Sequence, residues 1–146
     1  MMIKILSLFL FLTSLVYGQY TPFTLTGIKE VYPVVEIHTE YVPQEYVAII
    51  KNKVIKAMNS LNIKTKNFSD RSVAVLITGL SVYDEPVLHV KFLIGEEVKR
   101  TDGIATFAMT YESDDIFQIT KLDADLNDSI DSMLERFTKQ YKEDNE

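Results

Sequence analysis

Leu88, Val90, Phe92 and Ile94 fall on one side of an extended chain and His89 and Lys91 on the other, a period of two that predicts a half-buried β-strand. The preceding run, Ser72 to Val82, is so dense in Val, Leu and Ile that a central strand covered on at least one side is expected. Between them the polar break Asp84-Glu85-Pro86 predicts a hairpin connection. Pro86 has no N–H to give a ladder, so it belongs in that connection or at a strand's first residue. A further alternating run, Ile104 to Glu112, follows the turn signal Asp102-Gly103. It places Ala105, Phe107, Met109 and Tyr111 on a heavy face and Thr106, Ala108 and Thr110 on a light one. Ser113-Asp114-Asp115 reads as a turn, with a few more strand residues at Ile116 to Ile119. Near the start, within Gly27 to Tyr41, Val31, Pro33, Val35 and Ile37 alternate with Glu30, Tyr32, Val34, Glu36 and His38. That is a strand with a polar face, and Pro33 points to an edge, a bulge or an unpaired first half.

Two segments change the period to 3.6. From Pro43 to Leu61, Tyr46, Val47, Ile50, Val54, Ala57, Met58 and Leu61 form one apolar stripe, with Pro43 suited to a first turn and Asn62 to a stop. From Leu122 to Tyr141 a second stripe comprises Leu122, Leu126, Ile130, Met133, Leu134, Phe137 and Tyr141. Thr120 and Asp123 stand in capping-box spacing before it, and residues 143–146 are expected to fray. A short strand fits around Ile63 to Lys66, and Gln19 to Thr26 reads as a loosely held arm or a brief edge strand. The expected fold is an α+β two-layer sandwich: one mainly antiparallel sheet of about four strands with both helices on one face, in the order β-α-(β)-β-β-β-α. In architecture alone this order resembles small α/β modules of bacterial envelope assembly proteins. Such modules are often lipid-anchored through a cysteine that this chain does not have.

Composition changes the picture in three ways. Met1 to Gly18 has the layout of a secretory signal, with Lys4 ahead of an apolar run from Ile5 to Val16 and small Gly18 before Gln19. That run is short for spanning a bilayer, which needs about 20 apolar residues, so no transmembrane anchor is expected after cleavage. The expectation is a single domain over 19–142, secreted or periplasmic. The absence of cysteine removes disulfides, thiol nucleophiles and thiolate metal sites, and it fits a bacterial periplasm. A formal charge of −6 leaves no basic face for nucleic acid.

Candidate chemistry is sparse. Glu36, His38 and Glu40 share a strand face, and His89 and Lys91 are expected on the same open side of the sheet; imidazoles with carboxylates suit a divalent metal or an acid–base pair if the strands are neighbours. The same alternation is what any wet strand face requires. Asp123, Asp125, Asn127, Ser129 and Asp131 imitate a calcium loop, but Asp128 stands where the turn glycine belongs and Leu134 where the closing glutamate belongs. Gly79-Leu80-Ser81-Val82-Tyr83 has the front of a nucleophile elbow without its closing glycine. No motif calls for a cofactor, and no catalytic or metal residues are assigned. The leading expectation is a non-enzymatic envelope domain that binds a protein or peptide through its open sheet face, where Val34, Val87, Leu93 and Ala108 accompany His38, His89 and Lys91, or through a free edge. The alternatives are a small hydrolase or metal-dependent enzyme using the His/Glu cluster, and a ligand carrier with a cavity between helices and sheet. Oligomeric state is not legible.

Overall fold

A computed structural model describes residues 24–146. The leader at Met1 to Gly18, the start at Gln19 and the first residues of the expected arm lie outside the described residues. The elements run β1 (Glu30–His38), α1 (Tyr46–Ser60), β2 (Lys64–Thr65), β3 (Arg71–Val82), β4 (Glu85–Lys99), β5 (Ala105–Gln118) and α2 (Leu122–Asn145). The five strands form one sheet in the order β2-β1-β3-β4-β5. This corrects the expectation of about four mainly antiparallel strands: the sheet is mixed, with β1 parallel to both β2 and β3 and only β3-β4-β5 antiparallel. The reason is the crossover. Helix α1 carries the chain back to the end where β1 began, so the next strands repeat its direction, and hydrophobic periodicity does not distinguish this from a hairpin return. Among the described residues no helix is long and apolar enough to cross a membrane.

Both helices lie on one side of the sheet and share a single buried cluster with it. The sheet contributes Val31 and Ile37 from β1, Val73, Val75 and Ile77 from β3, and Leu88, Val90, Phe92 and Ile94 from β4. Helix α1 contributes Ile50, Val54 and Met58, and α2 contributes Leu126, Ile130, Met133, Leu134 and Phe137. The ring of Phe137 lies 5.3 Å from that of Phe92 and 5.5 Å from that of Tyr111, edge to face with both. Truncating so buried an aromatic costs about 3–5 kcal/mol. By contrast, the ion pair between the helices, Lys53 to Asp131 at 2.7 Å, has a largely exposed carboxylate and is worth at most about 1 kcal/mol. Packing, not charge, holds the layers together.

The helix ends differ from expectation in instructive ways. Helix α1 begins at Tyr46, and Pro43 to Glu45 form the turn before it, where Tyr46 N–H donates to Pro43 C=O at 3.1 Å. It stops where expected. Asn62 takes φ +59°, Ile63 N–H donates to Met58 C=O and Asn62 N–H to Asn59 C=O, both at 3.0 Å, and Ile63 and Met58 are fully buried. At α2 the capping carboxylate is Asp125, not Asp123: it accepts from the N–H groups of Lys121 and Thr120, each at 2.7 Å. Those backbone bonds hold its carboxyl below the usual aspartate range. A lowered folded-state value contributes stability above the ordinary range, lost as pH falls through the lowered one. Asp123 instead accepts from the Tyr46 hydroxyl, tying the two helix starts together.

The expected frayed tail is also corrected, and the described end of the expected arm, residues 24–26, is held against it. Helix α2 continues to Asn145, and Leu25, fully buried, donates its N–H to Asp144 Oδ2 at 2.7 Å while Asn145 Oδ1 accepts from Gly27 N–H at 2.9 Å. The two ends of the described chain secure one another because burying Leu25 requires partners for its backbone. The Ser129 hydroxyl, by contrast, is buried in α2 with no hydrogen-bond partner among the described residues. A buried hydroxyl left unbonded costs about 1–3 kcal/mol. Ser129→Ala is therefore expected to stabilise the fold by about 1 kcal/mol, read as a raised urea midpoint at unchanged slope; a lowered midpoint refutes the assignment.

Candidate functional site

The helix-free face of the sheet is built by register. Glu36, Leu76, Lys91 and Asp114 form one row across β1, β3, β4 and β5, and His38, Thr78, His89 and Ile116 form the next. Four of the five residues singled out from the sequence, Glu36, His38, His89 and Lys91, thus share this face. Glu40 does not join them, lying in the turn after β1. His38 and His89 both flank Thr78, two strand spacings apart, about 9.6 Å between backbones. Each imidazole takes its own carboxylate: His38 pairs with Glu36 at 3.0 Å and His89 with Asp114 at 2.9 Å. Among the described residues no group of three or more His, Asp or Glu stands in a metal-holding arrangement. Each histidine is thus bonded to a carboxylate of its own.

Lys91 completes the pattern by donating to Glu112 Oε1 at 2.7 Å. That hydrogen bond, then the charge of Glu112, raise its ammonium above the ordinary lysine range, with Asp114 adding to them and burial acting the other way. A folded-state lysine value above the unfolded one contributes stability that is lost only as pH rises through the raised value, so the pair is intact across the neutral range. The partners Glu112 and Asp114 were not legible as such. The sequence around Ser113-Asp114-Asp115 reads as a turn, yet β5 runs through it unbroken, because Asp114 faces Lys91 on the wet side and Ser113 accepts from the Arg136 guanidinium at 2.9 Å.

The largest correction concerns Phe107 and Met109. Ile94 pairs with Tyr111 but Gly95 pairs with Met109, so Thr110 is an extra residue in β5, a β-bulge. Tyr111 keeps the core side, and the bulge turns the expected heavy face outward: Phe107 is 65 % and Met109 60 % exposed on the helix-free face. Ala108, expected on the open face, moves to the other side opposite Glu96. The bulge is anchored by the Thr110 hydroxyl, which donates to Glu96 Oε1 at 2.7 Å, and Glu96 in turn is held by Arg71. One signal for it was available, the isolated Gly95 within an otherwise apolar strand. Leu80 at 56 % and Ile116 at 61 % are exposed on the same face toward the β3–β4 hairpin, separated from Phe107 and Met109 by the rows that hold Lys91 and Glu112.

A shallow cleft of about 260 Å³ lies at one end of the sheet, lined by Glu30, Ser69, Asp70, Arg71, Glu96 and Glu97. Its lining is charged, and it is not the apolar cavity between helices and sheet that a ligand carrier requires.

No protein-family model and no curated protein matches this chain. Among solved structures it is similar to a PelC dodecamer from Paraburkholderia phytofirmans, with a TM-score of 0.46 and 13 % identity over 74 % of this chain and 84 % of that one. It is also similar to a minor lipoprotein from Acinetobacter baumannii, with a TM-score of 0.30 and 8 % identity over 75 % of this chain and 90 % of that one.

A Cβ placed on Gly95 meets the Phe107 ring at 2.6 Å and Ser72 Oγ at 3.2 Å, so the ring sits against the glycine. Because Phe107 is mostly exposed, Gly95→Ala is expected to expel the ring and leave the strand in place, at about 1 kcal/mol, the low end for overpacking. The check is NMR: ring-current shifts on Ser72 disappear in the variant, and their persistence refutes this seating.

Proposed function

We propose that this chain is an exported, non-enzymatic envelope domain that binds another protein on the helix-free face of its sheet. The observation that carries the reading is the outward turn of Phe107 and Met109 at the Thr110 bulge, which adds two large side chains to a face already exposing Leu80 and Ile116. Large apolar side chains left exposed among polar groups on an uncovered sheet face are the kind of surface that protein contacts cover. The charges on this face favour the same conclusion. Lys91 is paired with Glu112, and His89 and His38 each have a carboxylate hydrogen-bond partner within the chain, so these polar groups keep their partners when the face is covered. Export rests on the segment Met1 to Gly18.

The test has two arms. Intact mass of the protein recovered outside the cytoplasm is expected to begin at Gln19. Crosslinking in an envelope extract is expected to capture a partner protein with the natural face, and at least tenfold less of it with Phe107→Ser/Met109→Ser, the loss of an apolar hot spot of about 2 kcal/mol. Equal capture by both forms, or none by either, counts decisively against the face as the docking surface.

A further inference from the structure

The run Ile104 to Tyr111, Ile-Ala-Thr-Phe-Ala-Met-Thr-Tyr, contains no charged residue, no proline and no glycine. Strand β5, which carries nearly all of it, is the last strand of the sheet, so one of its edges has no strand beside it. Ala105, Thr106, Phe107 and Met109 are exposed. The hairpin before β5 fixes which backbone groups point to the free side. Arg100 N–H donates to Ile104 C=O at 2.9 Å, so Ile104, Thr106 and Ala108 turn their backbone groups to β4, and the N–H and C=O of Ala105, Phe107 and Met109 point outward. The Phe107 ring sits back against Gly95 of β4 and leaves this row uncovered. An uncharged, β-prone run on an open edge is a template for a further strand, and proteins ordinarily blunt it. Elsewhere this chain does so. Beyond the bulge, β5 carries Glu112, Asp114 and Asp115, and the Arg136 guanidinium reaches over the edge to Ser113 Oγ at 2.9 Å and Asp114 C=O at 3.5 Å. On β1, Val31 C=O accepts from Lys66 N–H, so the outward row continues through Pro33, which has no N–H, to Ile37, whose C=O accepts from the Gln44 side chain at 3.2 Å. Residues 105–109 have no such cover among the described residues.

We infer that two copies of this chain pair β5 to β5, antiparallel about a two-fold axis at Phe107, and join their sheets into one. The occupant is a second copy because the free row is its own complement. With the axis at Phe107, Ala105 stands opposite Met109 of the second copy and Phe107 opposite its counterpart, and each pair exchanges both backbone hydrogen bonds. Side-chain size matches along the seam: Met109 meets the small Ala105 on the helix-free face, and Thr106 meets Ala108 on the other. Charge favours this stretch over the rest of the surface. The chain has a formal charge of −6, so two copies approach at least cost where neither presents a charged side chain. The bulge sets where the seam ends. Ile119 N–H donates to Pro86 C=O, so beyond Thr110 the odd-numbered residues face β4, and the outward row resumes out of step at Glu112. Pairing therefore stops at Met109, and the two-fold axis closes the assembly at two copies. The contact uses the edge backbone and leaves the helix-free face open, so it does not rest on the partner binding proposed above.

Sedimentation velocity of the purified chain is expected to show a monomer–dimer equilibrium that goes no further than two copies. The dimer is expected to persist at about 1 M salt, where the screening length is about 3 Å, because no ion pair holds it. Ala105→Pro removes an N–H that points away from β4, and Thr106→Lys puts a charge at the seam. Each is expected to weaken dimerisation at least tenfold with the circular dichroism of the natural protein unchanged. Register is read with cysteine, which the natural chain lacks. Ala105→Cys and Met109→Cys chains are expected to link by a disulfide at least tenfold faster when mixed than either does alone. Like positions stand about 14 Å apart along the paired strands, beyond the Cα separation of about 7 Å that a disulfide spans. A monomer at every concentration, including one whose edge is taken by a foreign peptide instead, overturns the inference. So does a dimer indifferent to Ala105→Pro and Thr106→Lys, or a cysteine mixture that links no faster than its components. Ala105→Pro and Thr106→Lys keep Phe107 and Met109, so both are expected to capture the envelope partner as the natural chain does, which separates failure here from failure of the helix-free face.

Discussion

The seating of Phe137 against Phe92 and Tyr111 is the contact on which the rest of the structure depends. It joins the C-terminal helix to the last two strands, and it commits α2 to the side of the sheet that α1 already occupies. Once both amphipathic stripes are spent on one face, nothing remains to cover the other. A two-layer domain with an uncovered sheet face follows from that choice, and the hydrogen-bonded fastening of Leu25 and Gly27 to Asp144 and Asn145 completes the covered side.

The Thr110 bulge then decides what the uncovered face presents. Without the extra residue, Phe107 and Met109 would continue the side of Tyr111; with it, they stand with His89 and Lys91 in water. Two local features make the bulge tolerable. Glu96 accepts from the freed Thr110 hydroxyl while paired with Arg71, and Gly95 leaves room for the Phe107 ring to lie on the strand beside it. Bulges that re-aim side chains near the rim of a sheet are a recognised structural device. Here the result is two large apolar side chains exposed near one end of the face.

Charge contributes little to holding the layers together. On the helix-free face Lys91 is paired with Glu112, and His89 hydrogen-bonds Asp114. The Lys-bearing α1 and the Asp-bearing α2 lie side by side, with Lys53 reaching Asp131 across them.

The amino-acid sequence by itself determined the elements with sustained periodicity: both helical stripes, the stop at Asn62, the core side of β4 from Leu88 to Ile94, and the wet side bearing His89 and Lys91. These follow from local rules, because a residue's place in a repeat of 2 or 3.6 depends only on its neighbours along the chain. Only the tertiary structure decided the parallel crossover of β1 with β3, the choice of Asp125 over Asp123 as the cap, the continuity of β5 through Asp114, and the face on which Phe107 lies. Apart from the cap, whose partners are local, each of these turns on a partner distant in sequence. Whether an aspartate ends a strand or pairs across it, and whether an alternating run keeps its side or is flipped by one extra residue, depends on what stands on the neighbouring strand, and periodicity carries no record of that.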